Sequence, residues 1–323
     1  MTIRTSPSSL VRGRRPRPLV YGALIAVVAG SVFPMYWSFV VSTQDNSAIG
    51  SATPVLLPGG HLLENIDRVF TTVDFWLAMQ NSLIVATTVS VSNVFLASLA
   101  GFAFAKLRFP GRNGLFLFVM ATVMIPAQLG IIPLYLVVDR LGWYGRLEAV
   151  IVPGLVSAFS VFWMRQAAHE SIPDDLVDAA RLDGAPIARI YWHVALPALR
   201  PHAAVLAMLT FMASWNDYFW PLVVLDPNEA PTVQVALSRL ASGYFTDYTL
   251  MLTAATIAVI PVILLFLLLS RYIIRGFVKG VPHGRDSAAL PDPVPVGRGD
   301  VVVPDRGRGG GARRVHLGHV LRR

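Results

Sequence analysis

No cysteine occurs in the 323 residues, so a disulfide frame, a thiolate metal site and a cysteine nucleophile are all excluded, and the redox compartment leaves no trace. Lysine is almost as scarce, with only Lys106 and Lys279. They follow Ala105 and Val278, so neither completes the Gly-Lys-Ser/Thr end of a phosphate-binding loop, and the chain lacks that route to nucleotide hydrolysis. The run His169-Glu170-Ser171-Ile172-Pro173 begins like a zinc-protease helix, but proline stands where the second histidine ligand is required and would break the helix that sets the spacing. No Gly-x-Ser-x-Gly elbow is present, and the isolated histidines carry no catalytic context. With neither a catalytic nor a metal-ligating constellation, the chain does not read as an enzyme.

Charge is thin too, at 14% of residues, against 54% hydrophobic and a mean hydropathy of +0.57. That excess of apolar side chains is more than a soluble core uses. Runs of roughly 20 apolar residues, each able to cross ~30 Å of hydrocarbon, make this a polytopic membrane protein. Six spans are expected, at 19–41, 83–105, 115–138, 147–164, 203–225 and 250–274, giving an all-α fold. The first is preceded by "RGRRPRP", but its apolar core exceeds the ~7–15 residues of a cleavable signal and no small-residue cleavage site follows, so it reads as a retained span.

A formal charge of +8 raises the question of nucleic acid, and the position of the cations answers it. Five of the 27 Lys and Arg lie in the arm 1–18, three in "KLRFPGR", four between Arg165 and Arg200, and eleven from Arg271 onward. Only Arg68, Arg140, Arg146 and Arg239 fall on the other side of the membrane. This asymmetry puts the N- and C-termini in the cytoplasm. No nucleic acid is implied; the "RGRGGG" run reads as a solvated extension. From 284 to 323 the chain is rich in Pro, Gly and Arg and is expected to be a disordered tail, because it cannot bury enough apolar surface to offset its ordering entropy. The arm 1–18, the six-span domain 19–283 and the tail 284–323 are thus the expected divisions.

Outside the membrane, "DRVFTTVDFWLAMQ" (67–80) reads as an interfacial helix before the second span, through Val69, Phe70, Val73, Phe75, Trp76 and Leu77. Polar residues inside spans are costly unless they face protein or water. Asn93, Thr122, Gln128, Ser157, Ser160, Asn216, Thr253 and Thr256 are therefore the candidates for a solute path. The competing role for each is gluing helices together. Pro126 and Pro133 are expected to kink or interrupt the third span, with a cavity as one consequence. "WNDYFWPL" (215–222) reads as an interfacial aromatic belt, a packing surface or a gate lining, and Asp217 needs water or a partner there.

One stretch concentrates the charge that the rest lacks: "DDLVDAARLDGAPIARIYWHVALP" (174–197), within the cytoplasmic loop 165–202. Pro173 suits a first helical position, and Asp174 and Asp175 complement the positive end of the helix dipole. A helix is expected to about Leu182, with Leu176, Val177 and Ala180 as apolar knobs, a sharp turn at Gly184 and a restart at Pro186. Asp178-Ala179-Ala180, then Gly184, then Val194-x-Leu196-Pro197 resembles the "EAA…G…I-x-L-P" loop of ABC importer permease subunits, with Asp178 for the usual Glu and Val194 for Ile.

The resemblance continues through "NSL" (81–83), "AGFAFAKLRFPGR" (100–112), "MIPAQLGIIPLYLVVDRLG" (124–142), "WNDYFWPL" and "GFVKG" (276–280), all similar to the smaller six-span subunit of maltose-type carbohydrate importers. It implies a type I ABC importer permease fold and a bacterial inner-membrane location. It also implies an ATPase-coupling role for Asp178, Ala179, Ala180, Leu182, Asp183, Gly184, Ala185, Leu196 and Pro197. The implied partners are a second permease subunit, two ABC ATPase subunits, which use ATP and Mg, and an extracytoplasmic solute-binding protein touching the loop 226–247. No cofactor is implied for this chain. The expected function is import of a sugar or oligosaccharide. A permease for a polyamine or amino acid is the runner-up, and a secondary transporter is disfavoured because its intramembrane charge relays are missing.

Overall fold

The computed structural model describes residues 18–46, 55–241, 247–279, 300–303 and 313–316. The expected arm 1–18 and most of the expected tail lie outside them. The first span is a 25-residue helix, α1 (Pro18–Ser42), apolar on all sides and exposed along most of its length, as a helix facing lipid or another membrane subunit must be. It is followed by α2 (Leu62–Thr72), whose Asn65 donates from its amide to the carbonyls of Ser42 and Gln44, latching α2 to the end of α1.

The interfacial helix expected over 67–80 is two helices. Val73 is extended, and Asp74 accepts a hydrogen bond from the Leu77 N–H at 3.0 Å, so a new helix starts at Phe75. Phe75, Trp76 and Leu77 thereby belong to the first turn of the second span, α3 (Phe75–Lys106), which begins eight residues earlier than the apolar run suggested.

The core is built around α3. Its buried residues recur every three to four positions and include Ala78, Ser82, Val85, Ala86, Val89, Asn93 and Ala97. Gly101 is where a neighbour comes closest, since a Cβ there would lie 2.6 Å from Met164 C and Arg165 N. That neighbour is α7 (Ala158–Ser171). Between α3 and α7 the chain forms α4 (Arg112–Val123), a 3₁₀ turn (Ala127–Gly130), α5 (Ile131–Arg140) and α6 (Glu148–Gly154). The third span is bent by 89° between α4 and the turn. Pro126, without an N–H, stands at the break, whereas Pro133 sits in the first turn of α5 and is accommodated there. A short gap at 155–157 separates α6 from α7, and together they form the fourth span, Glu148–Ser171.

Next come α8 (Asp174–Leu182), α9 (Ile187–Ile190), a π turn (Tyr191–Ala195) and α10 (Leu196–Trp215). Pro197 has no N–H for the preceding turn, and the wider π turn absorbs that missing bond. The fifth span therefore runs Ile187–Trp215 and ends at Asn216, not at Leu225. The segment α11 (Phe219–Val224) is a separate short helix, and α12 (Val233–Ala241) follows. The last span is in α13 (Tyr248–Lys279). Among the described residues five helices are long and apolar enough to cross a membrane, and six if the bent pair counts as one span.

Lipid tails are as apolar as leucine, so burial alone does little to hold such helices together, and close packing and interhelical hydrogen bonds matter more. α3 supplies both. Ser90 Oγ donates to Ala207 O at 2.8 Å, Asn93 Nδ2 to Gly154 O at 3.1 Å, and Asn81 Nδ2 to Pro231 O at 3.0 Å. Ser82 Oγ accepts from Val233 N, and Ser98 Oγ pairs with the Tyr191 hydroxyl at 2.6 Å. α12, in a segment that reads as a plain polar connection, buries Val233, Val235, Ala236 and Leu240.

A second unit, 278–323, contains two described strands, β1 (Asp300–Val303) and β2 (Arg313–His316), paired antiparallel with Asp300 opposite His316. The disorder expected from residue 284 otherwise falls outside the described residues.

Candidate functional site

The charged stretch forms a helical hairpin whose two sides differ sharply. Pro173 is the extended N-cap of α8, one residue before the helix, and Asp174 and Asp175 occupy the first turn. At the other end Gly184 takes φ +74°, with Gly184 N donating to Arg181 O at 2.9 Å and Ala185 N to Ala180 O at 3.0 Å. This pair of bonds is a Schellman cap, and it needs the left-handed conformation that glycine adopts at low cost. Pro186 then starts α9.

Val177 and Ile190 are buried in the core that includes Gly101's neighbours Phe102 and Met164, and Ala180, Ala185 and Leu196 pack against it. Outward lie Asp178, Ala179, Leu182, Asp183, Gly184 and Pro197. Leu182 is 90% exposed and Leu176 54%, so the hairpin is rooted by one apolar face and presents another.

Three contacts fix its orientation. Lys106 Nζ donates to Asp174 Oδ1 at 2.6 Å, Arg181 Nη2 donates to Lys106 O at 3.1 Å, and Arg181 Nη1 donates to Asp178 Oδ1 at 3.3 Å. The last turn of α3 thus holds both ends of α8. Lys106 beside it keeps the Asp174 carboxyl below the usual carboxylate range, first through the hydrogen bond and then through its charge. Nothing in residue spacing singled out Lys106 as this anchor; its burial is the signal.

A second site lies in two adjoining half-open cavities of about 460 and 660 Å³. Both are walled by Leu134, Asp217 and Trp220. Of the expected path residues, Asn93, Ser157 and Ser160 line the smaller cavity and Gln128 the larger. The break at Pro126 brings Ala127 and Gln128 to the larger one, so the kink does shape a cavity. Asn93 Oδ1 and Ser160 Oγ are enclosed without a hydrogen-bond partner.

Thr122, Asn216, Thr253 and Thr256 line neither cavity. Thr122 and Thr256 donate to carbonyls of their own helices, Asn216 does so to Met212 O, and Thr253 reaches Ser42 O on α1 as well as Thr249 O. Thr253 thus ties α13 to the end of α1, whereas Thr122 and Thr256 are spent within their own helices. Thr210 and Ser214, which the sequence reading passed over, do line the smaller cavity. They stand one turn apart at the end of α10, and Asp217 follows just past the break at Asn216.

"WNDYFWPL" divides between packing and surface. Trp215 is 2% exposed and stacks on Phe211 at 5.6 Å, and Trp220 donates from its indole to Ala149 O at 3.0 Å. Tyr218 and Phe219 face outward.

Residues 93–279 match the family described as "Binding-protein-dependent transport system inner membrane component". The chain is 30% identical over 271 residues to the lactose transport system permease protein of Rhizobium radiobacter, covering 84% of this chain and 98% of that protein. It is 34% identical over 263 residues to the sn-glycerol-3-phosphate transport system permease protein of Salmonella typhi, covering 79% and 93%. Among solved structures, a chain of a bacterial ABC transporter importing the acidic polysaccharide alginate superposes with a TM-score of 0.68 at 24% identity, over 79% of this chain and 95% of that one. That likeness speaks for the fold.

Proposed function

Because this chain belongs to the family of binding-protein-dependent transport system inner membrane components, we propose that it is the membrane-spanning permease subunit of an ATP-driven importer for a sugar or oligosaccharide. The relatives named for lactose and sn-glycerol 3-phosphate support import of a small polyhydroxylated solute. The chain would sit in a bacterial inner membrane with both termini in the cytoplasm, opposite a second permease. Two ABC ATPase subunits would burn ATP below it, and a solute-binding protein would deliver cargo from outside.

The observation that carries this reading is the hairpin: an apolar tip, Leu176 and Leu182, held out on a base that is buried and tied to α3. Such a body moves as a rigid lever, so force applied to its tip reaches α3, α7 and α10 without any chemistry of its own. A groove on an ATPase subunit is the surface that would cover those leucines.

The test is uptake by the complete importer. Leu182→Asp and Gly184→Asp are expected to abolish uptake while membrane insertion and partner assembly in detergent persist. Ala180→Arg, which reverses a side chain packed against the core, is expected to disturb folding as well, so it is the weaker probe. Transport at wild-type rates by Leu182→Asp would remove the lever role.

A further inference from the structure

We infer that the smaller cavity is a subsite for a neutral, hydroxyl-rich solute, and that Asp217 makes it reject phosphorylated and uronic-acid solutes. This rests on the importer reading and deepens it. The relatives bear names for both neutral and anionic cargo, lactose on one side and glycerol phosphate and alginate on the other. Family likeness therefore leaves the charge of the solute open, and the lining decides it.

Asn93 is 3% exposed and Ser160 fully enclosed. One N–H of the Asn93 amide donates to Gly154 O, and the acceptor Oδ1 has no partner. Ser160 Oγ is unpaired as well. Both atoms lie enclosed just behind the cleft lining, so a solute or water completes their bonding when the wall shifts to admit it. Asp217 adds a carboxyl group; burial pushes its pKa up while the backbone N–H groups of Trp220 and Phe219 oppose that shift, and in its ionised form it accepts only. The wall is thus rich in acceptors, and sugar hydroxyls are donors that suit it, with Phe159 and Trp220 offering aromatic faces to C–H surfaces.

What is missing matters equally. None of the residues lining either cavity is Lys, Arg or His. A phosphate or uronate held there would meet the Asp217 carboxylate with no counter-charge from this chain. At ~6 Å and an effective dielectric of ~20, that repulsion amounts to roughly 100-fold in occupancy. A polyamine, with several ammonium groups spaced along a chain, would want several carboxylates, and the lining has one.

The absence of cysteine makes this directly measurable, because one introduced thiol is the only thiol in the chain. Ser157→Cys places it in the cavity wall. In the complete importer, with companion subunits made cysteine-free and no membrane potential, its modification by a cationic trimethylammonium-ethyl methanethiosulfonate is compared with that by the anionic sulfonato-ethyl reagent. The cation-to-anion rate ratio is expected to exceed that of a free thiol by at least about 10-fold and to fall at least about 5-fold in Asp217→Asn. Neutral sugars from a panel including lactose are expected to slow labelling, and sn-glycerol 3-phosphate and spermidine at equal concentration are not.

A charge-blind ratio, a ratio insensitive to Asp217→Asn, no protection by any neutral sugar, or better protection by the phosphate or the polyamine would each overturn the inference. ATP-driven uptake by the importer that retains its native Ser157 separates the two levels. If uptake proceeds while labelling is charge-blind, only the subsite fails. If no solute is taken up, the importer reading falls with it.

Discussion

Lys106 and Asp174 form an ion pair of very unequal burial: the lysine side chain is 3% exposed and the aspartate 81%. One partner is the last residue of α3 and the other the first of α8, so the pair joins the central span to the hairpin. Removing either side is not equivalent. Loss of the aspartate strands an enclosed ammonium, whereas loss of the lysine leaves a carboxylate in water.

Asp174→Ala is accordingly expected to lower the thermal unfolding midpoint of the detergent-solubilised protein more than Lys106→Met does. The double variant should be less destabilised than the sum of the two singles, because removing the lysine also removes the stranded charge. A strictly additive pair would show the contact to be idle.

The same pair sets a pH dependence. Lys106 holds the Asp174 carboxyl below its usual value, so its folded-state affinity for a proton is weaker than that of the unfolded chain. The contribution is therefore complete above the ordinary carboxylate range, about pH 4, and disappears as pH falls through the depressed folded value. The gap in unfolding midpoint between wild type and Asp174→Asn is expected to be constant from pH 7 to about pH 5 and to close only below about pH 4. A gap that closes near pH 6 would point to another group.

Gly101 is the point of closest approach between α3 and α7. A Cβ 2.6 Å from backbone atoms cannot be absorbed by a rotamer change, so Gly101→Ala must push the helices apart. A loss of about 1–3 kcal/mol is expected from such overpacking. Equilibrium unfolding in mixed micelles would measure it, with Gly114→Ala, where a Cβ meets nothing within 4 Å, as the control.

The Ser98–Tyr191 bond crosses from α3 to the π turn at 2.6 Å. Interhelical bonds of this kind average ~0.6 kcal/mol in membrane proteins, so a Ser98→Ala, Tyr191→Phe double-mutant cycle is expected to return a coupling near that size. Coupling above about 2 kcal/mol would make it a structural keystone instead of one tie among several.

The hairpin was legible because its signals are local. The aspartates of the first turn, the left-handed glycine and the following proline act through nearest neighbours, and the helix, cap and restart stand where those residues put them. Span ends were less legible. The hydropathy of the second span misses its first turns because Gln80, Asn81 and Ser82 separate Phe75 to Met79 from the apolar run that starts at Leu83. That of the fifth overshoots into α11 because Phe219 to Val224 is greasy but lies past the break at Asn216.

The path residues divide for a similar reason. A polar side chain in a span reads the same whether it faces a cavity or another helix. Asn93 and Ser160 meet a cavity, while Thr253 is spent on Ser42 O, and the difference lies in what stands opposite.

Composition and patterning alone establish that this chain crosses a membrane several times and carries one capped acidic hairpin, because those properties depend on side-chain chemistry and on bonds between residues a few positions apart. Packing had to settle which face of that hairpin is rooted, that Lys106 anchors it, and that Thr210, Ser214 and Asp217 share a cavity with Asn93. Those are encounters between residues distant in the chain, such as Lys106 and Asp174, 68 positions apart, brought together by how closely α3, α7 and α10 approach, and one dimension of sequence holds no measure of that approach.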